Sequence, residues 1–220
     1  MLKLGLRVLL LIGASWLFAT IAADVSRGGP PGGLDVAITH WFQARAIPWL
    51  TRIMLLFTNL HSTAGITIFA LLLAFYLVWK RFGRWLLTLV LAVPLGMLIN
   101  VLLKHVFMRA RPDLDAPLLT LSTYSFPSGH VASATLFYGV LAAFLCSATR
   151  SWRWRALIVL AACVLVVLVG VTRLYLGVHH FSDVVGALAW STAWLTACFI
   201  AVDALGGRRE TRRRAGASPG

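Results

Sequence analysis

Six apolar runs, each close to the length of a bilayer-spanning helix, constrain this chain more than anything else in it. They lie at about 4–23, 64–79, 84–106, 131–148, 156–171 and 184–205. A helix rises about 1.5 Å per residue, so roughly 17–25 apolar residues cross a hydrocarbon core about 30 Å thick. In that solvent each backbone N–H and C=O must find a partner within the protein, and a helix supplies those partners inside its own segment. Composition agrees: 60% of the residues are hydrophobic and 12% charged, against about 45–50% and about 25% in soluble domains. The prediction is an all-α integral membrane bundle of six transmembrane helices over residues 1–205. A basic tail with Gly, Ser and Pro follows at 206–220 and is expected to be disordered.

A net charge of +13 would point to nucleic acid in a soluble protein. Here the basic residues fall in short loops between apolar runs, with no aromatic-basic interleaving, so no nucleic-acid partner is expected. Their distribution instead sets topology. Lys3, Arg7, Lys80, Arg81, Arg84, Arg150, Arg153, Arg155 and five arginines of the tail put thirteen cations on one side, against seven on the other. Both termini are therefore expected in the cytoplasm, and the tail can touch anionic lipid headgroups. The first run has the flanking charges of a secretory signal, but it is long and Ala22-Ala23 makes a poor cleavage site, so it is taken as a retained span. Cys146, Cys163 and Cys198 lie inside apolar runs without metal-ligand spacing and are expected to be small buried hydrophobes.

Between the first two runs, Gly28–Gly33 breaks regular structure. Asp35 can then cap a helix. Alternating apolar and polar residues from Val36 to Met54 form an amphipathic segment at the membrane surface, broken at Pro48. The stretch 24–63 is read as an extracytoplasmic interfacial segment, either a gate on the lipid side or a packing strut.

Three short segments at the ends of apolar runs fall on the extracytoplasmic side, where charge is costly and needs a reason. The first is Lys104 to Arg111-Pro112. Seven positions are close to two helical turns, so both cations can share a face, and Pro112 stops the helix. A Lys point charge and an Arg fork suit a phosphate. The second is Pro127-Ser128-Gly129-His130. Ser128 can cap the next helix, Gly129 admits close backbone approach, and the free amides form an anion site beside His130. The third is Arg173, His179 and Asp183. On a helix Asp183 shares a face with His179, can accept its Nδ1–H and leaves Nε2 free to attack, while Arg173 adds a second guanidinium. Each segment alone also has a structural reading: snorkelling cations, a plain helix cap, or an interfacial His–Asp bond. Asn100 is expected to make an interhelical hydrogen bond. Arg109 is either a supporting cation or a lipid anchor, and His40 and His61 are placed at the interface. His105 and His180 are placed at the site margin, with Asp113 and Asp115 near its mouth.

Taken in order, the segments resemble the type 2 phosphatidic acid phosphatase superfamily, whose signature is K-x6-R-P, P-S-G-H and S-R-x5-H-x3-D. This chain departs from it only in Thr172, which replaces Ser and keeps a hydroxyl. The resemblance implies a metal-independent membrane lipid phosphatase without a cofactor. His179 would be the nucleophile, Asp183 its partner and His130 the proton donor. Lys104, Arg111, Ser128, Gly129 and Arg173 would bind the phosphate of a lipid substrate. It also implies a bacterial inner-membrane protein acting on undecaprenyl diphosphate first, with phosphatidate, phosphatidylglycerol phosphate and lipid A as alternatives. A non-catalytic lipid-binding protein on the same scaffold would have eroded motifs, and a vanadate haloperoxidase would have a large soluble domain.

Overall fold

The computed structural model describes the backbone of residues 2–28, 31–114, 118–119 and 121–216, with side chains from 4 to 206 within those ranges. Asp115 and residues 217–220 lie outside them. The described residues form eight helices and no strands: α1 (Leu2–Ser26), α2 (Gly33–Gln43), α3 (Pro48–Leu60), α4 (Thr63–Trp79), α5 (Gly83–Phe107), α6 (Gly129–Ala148), α7 (Trp152–Tyr175) and α8 (Phe181–Gly216). The all-α bundle expected from hydropathy is the observed class. Five helices (α1, α5, α6, α7 and α8) are long and apolar enough to cross a bilayer. The sixth expected span, at 64–79, corresponds to α4, 17 residues long and joined to α3 across a bend of 47°.

The bend has local causes. Pro48 opens α3, where its missing N–H costs nothing. The chain breaks at His61, and Ser62 caps α4 by accepting from the Gly65 amide at 3.3 Å. A side chain at Gly65 would overlap the carbonyl oxygen of Leu60. Backbone cannot yield as a flexible side chain can, so Gly65→Ala is expected to destabilise the protein by about 2–3 kcal/mol, read as a lowered thermal midpoint in detergent. His61, placed at the interface from sequence, is buried: its Nδ1 lies 2.8 Å from Phe57 O and its Nε2 2.8 Å from the Tyr138 hydroxyl. Those two bonds compensate its burial and tie the bend to α6.

Helix α6 is the centre of the bundle. It packs on α4, α5, α7 and α8, and Val131, Ala132, Ala134, Leu136 and Val140 are wholly enclosed. The peripheral helices instead present Leu9, Trp16, Leu72, Phe75, Leu102, Leu160 and Val167 outward. A helix apolar on its exposed face is one solvated by lipid. Asn100 makes the interhelical bond expected of it, accepting from Trp190 Nε1 at 3.1 Å. The cysteines are free, but only Cys198 is buried; Cys163 sits on the outward face of α7, where lipid rather than protein surrounds it.

Residues 206–216 continue α8 as helix. Arg, Glu and Ala are good helix formers, and extending an existing helix avoids the nucleation cost. The segment 24–63 folds into two helices, with α2 seated on α7 and α8, and α3 on α7 and α4. Successive antiparallel crossings bring the ends of α5 and α7 together with the beginnings of α6 and α8. All three motif segments meet there. The opposite end carries Arg7 and Arg84, both paired with Asp203.

Candidate active site

The first motif is assembled differently from its helical spacing. Helix α5 stops at Phe107, and Met108 takes a left-handed conformation at φ 46°. Lys104 is therefore on the last turn, while Arg111 lies in the loop beyond. They meet because the loop doubles back. Lys104 Nζ donates to Tyr124 O at 2.5 Å, and Arg111 Nη2 reaches the same carbonyl at 3.4 Å. Arg111 is further fixed by Thr123 O at 2.7 Å and Val178 O at 2.5 Å. Burial lowers the pKa of Arg111, with Asp183 acting the other way; an arginine stays charged at neutral pH regardless.

Ser128 occupies the N-cap position of α6, as expected, but makes no capping bond. Its Oγ is buried without a partner. Its amide instead donates to Asp183 O at 3.2 Å, which ties the start of α6 to the start of α8. The first intrahelical bond of α6 is made by Ala132 to Ser128 O, at 3.0 Å. The amides of Gly129 to Val131 precede it and belong to the positive end of the helix. Gly129 lies against α5: a Cβ there would meet Asn100 Nδ2 at 3.5 Å and the Lys104 chain at 3.9 Å, ordinary contact distances. His130, half-buried on that first turn, lies within electrostatic reach of Arg173, His179, Arg111 and Lys104.

His179 and Asp183 also meet by a route other than a shared helical face. Helix α8 begins at Phe181, so His179 precedes it. Asp183, in the first turn, reaches back over the cap. One oxygen accepts the His180 amide at 2.8 Å and faces His179 Nδ1 at 3.3 Å. The geometry is that of a capping box, with a carboxylate three residues into the helix bonding the N-cap amide. An Nδ1–H held by a carboxylate leaves the lone pair on Nε2, which lies 3.5 Å from Arg111 Nη1. Burial pushes the His179 pKa down to about 3, with Asp183 partly opposing the shift. The ring is thus neutral wherever pH is well above that value. Burial likewise lowers His180, whose Nδ1 has no partner.

Arg173 is 1% exposed near the end of α7. Nη1 donates to Thr58 Oγ1 at 2.6 Å, while Nε and Nη2 have no protein partner. A buried guanidinium with two unused donors is costly unless an anion completes it. With Ser128 Oγ, that makes three orphaned donors among the motif residues. Thr172 bonds Val169 O at 2.7 Å, so the residue that departs from the family pattern serves the helix.

Sequence reasoning missed Asp35 as a site member, and of the two readings of Arg109 the structure has the supporting cation. Asp35 does not cap α2; it binds Arg109 Nη2 at 2.9 Å, and Arg109 Nη1 binds Asp183 at 2.6 Å. No periodicity links positions so far apart. His105 stays exposed, with its ring edge-on to Tyr124, and Asp113 is exposed. Among the described residues no group of three or more His, Cys, Asp or Glu is placed to hold a metal ion.

A family model described as the PAP2 superfamily matches residues 85–206, more than half of the chain. The protein belongs to the PAP2 superfamily. The phosphatidylglycerophosphatase B of Bacillus subtilis (strain 168) is 34% identical over 175 residues, covering 79% of this chain and 86% of that protein. The crystal structure of a transmembrane PAP2-type phosphatidylglycerolphosphate phosphatase from Bacillus subtilis superposes with a TM-score of 0.76 at 27% identity, over 90% of this chain and 96% of that one. Aquifex aeolicus LpxE gives a TM-score of 0.56 at 25% identity, over 78% of this chain and 95% of that one. This PAP2 protein is accordingly a multi-pass membrane protein and a phosphatase, a hydrolase of phosphoric esters, and its bundle is the transmembrane PAP2 fold.

Proposed function

We propose that the enzyme removes a terminal phosphate from a membrane lipid through a phosphohistidine, without a metal. The observation that carries this reading is the set of orphaned donors on Arg173 and Ser128 beside a neutral, Asp-held His179. His179 Nε2 attacks phosphorus, and the bond to the lipid oxygen breaks. Lys104, Arg111 and Arg173, with Ser128 and the Gly129 amide, hold the phosphoryl oxygens as charge develops on them. His130, protonated in the substrate complex, gives its proton to the leaving oxygen. Water then attacks phosphorus, His130 takes a proton from it, and the P–N bond breaks to release phosphate. Fixed cations do the work that a metal ion does elsewhere.

Similarity to a phosphatidylglycerophosphatase and to a phosphatidylglycerolphosphate phosphatase favours phosphatidylglycerol phosphate, ahead of undecaprenyl diphosphate, which family habit alone put first. Phosphatidate and lipid A follow. The site faces away from the basic loops, which supports a bacterial inner-membrane enzyme with cytoplasmic termini and an extracytoplasmic site. The domain reading is one catalytic unit over 1–205, with 24–63 on the extracytoplasmic side.

The test is phosphate release from these four lipids by purified enzyme in detergent with EDTA. Turnover of at least one, fastest on phosphatidylglycerol phosphate, is the expected result. No release in EDTA, restored by a divalent cation, would overturn the metal-free reading.

A further inference from the structure

Asp35 stands in the first turn of α2, where a carboxylate ordinarily faces water and the positive helix end. It is 5% exposed. Its Oδ1 accepts from the Ser182 amide at 2.8 Å, and its Oδ2 from Ser182 Oγ at 2.6 Å and Arg109 Nη2 at 2.9 Å. Arg109 Nη1 in turn donates to Ser182 Oγ at 2.7 Å and to Asp183 Oδ1 at 2.6 Å. The other Asp183 oxygen serves His179 and the His180 amide. One guanidinium is therefore clamped between two carboxylates, one on α2 and one at the start of α8.

We propose that Asp35 is a positioning residue for the His179–Asp183 pair, acting through Arg109. It fixes the guanidinium that fixes Asp183, and it cancels the guanidinium's charge. This rests on the reading of His179 as nucleophile and Asp183 as its partner.

Arg109 alone on Asp183 would leave the pair neutral and draw the carboxylate away from the imidazole. With Asp35 present, the three groups carry one net negative charge facing His179. A phosphorylated His179 that keeps its Nδ1–H is cationic on the ring, so it gains from that charge. Screening is weak, since the side chains of Asp183, Asp35 and Arg109 are 0%, 7% and 15% exposed. The inference also gives α2 a part in the chemistry: the interfacial segment is tied to the start of α8 and does more than cover the site.

The experiment compares Asp35→Asn, Asp35→Glu, Arg109→Gln and the double variant Asp35→Asn/Arg109→Gln, with His179→Ala alongside. The substrate is whichever lipid the wild type hydrolyses fastest. Asp35→Asn keeps size and can still accept the Ser182 amide, and is expected to lower kcat on the order of 10- to 100-fold with little change in KM. Asp35→Glu restores the charge and is expected to retain more activity than Asn despite its poorer fit. Arg109→Gln leaves two carboxylates facing each other. The double variant returns the group to one net negative charge and is expected to exceed Arg109→Gln by roughly fivefold or more. A purely structural role would instead lower the thermal midpoint and leave the kcat of the folded enzyme unchanged. Wild-type kcat in Asp35→Asn with His179→Ala inactive would overturn this inference and leave the site reading standing. Glu no better than Asn, or a double variant no better than Arg109→Gln, would overturn it as well, even if Asp35→Asn alone failed to fold. Activity in His179→Ala would overturn both.

Discussion

His179→Ala is expected to lower phosphate release by about 10⁴-fold or more, a loss of about 5.5 kcal/mol of transition-state stabilisation. The expectation follows from how the ring is held. His179 is 2% exposed, its Nδ1 faces Asp183 at 3.3 Å, and its Nε2 is turned toward Arg111 at 3.5 Å. No other described histidine has one ring nitrogen facing a carboxylate and the other facing a guanidinium. On the proposed mechanism alanine removes the nucleophile but leaves the cations in place, so lipid binding should survive while the covalent step disappears. Trapping gives a second test: rapid quench of wild type with labelled lipid into alkaline detergent should yield a base-stable phosphoenzyme that acid then discharges, absent in the variant. The sign of the pH effect is also set. A nucleophilic imidazole must be neutral, and burial puts the His179 pKa at about 3, so any acid limb of kcat/KM due to this ring lies far below the ordinary histidine range. The unfolded chain would take up that proton near pH 6.5. Stability from the neutral ring is therefore present above about pH 6.5 and is lost as pH falls toward 3. A variant within tenfold of the wild-type rate would place the nucleophile elsewhere.

Arg173→Met is expected to separate function from stability. Removing one preorganised donor to a developing oxyanion typically costs about 10²–10³-fold, or about 2.7–4 kcal/mol, and Arg173 offers two unused nitrogens. The same nitrogens leave the free enzyme with a buried charge whose only partner among the described residues is Thr58, at 2.6 Å. Methionine fills a similar volume and buries no charge. The lost Thr58 bond costs about 1 kcal/mol, which relief of the buried cation offsets. The thermal midpoint is thus expected to stay level or rise while kcat/KM falls. Millimolar phosphate should raise the midpoint of the wild type by mass action and leave that of the variant unchanged. A midpoint that drops steeply, with a phosphate response that persists, would make Arg173 a structural residue.

Some of the site could be read directly from the chain. The order of the three motifs and their common end of the bundle follow from counting apolar runs, because each run must cross and each crossing reverses direction. The reasons given for individual pairs were different in kind from what holds them. Lys104 and Arg111 sit on a helix turn and in a loop, and they meet at the Tyr124 carbonyl. His179 and Asp183 meet across a helix cap. Spacing alone cannot separate these arrangements, since a seven- or four-residue interval is satisfied by more than one backbone path. Ser128 shows the same limit: its place at a helix start was legible, but its free hydroxyl was not, because a cap bond and a ligand-facing rotamer share one residue type.

What the sequence by itself determined is the set of properties that local physics controls: the all-α class, the apolar helices, and the end of the bundle that gathers cations and histidines. Hydropathy and backbone hydrogen bonding in lipid act segment by segment, so they leave a mark on every stretch. Tertiary structure alone decided that α3 meets α4 at a bend of 47°, that Arg173 is buried with donors to spare, and that Asp35 reaches Asp183 through Arg109. Those outcomes depend on which helices lie side by side. Contacts between positions 35, 109 and 183 have no period, and only packing brings them within hydrogen-bond reach.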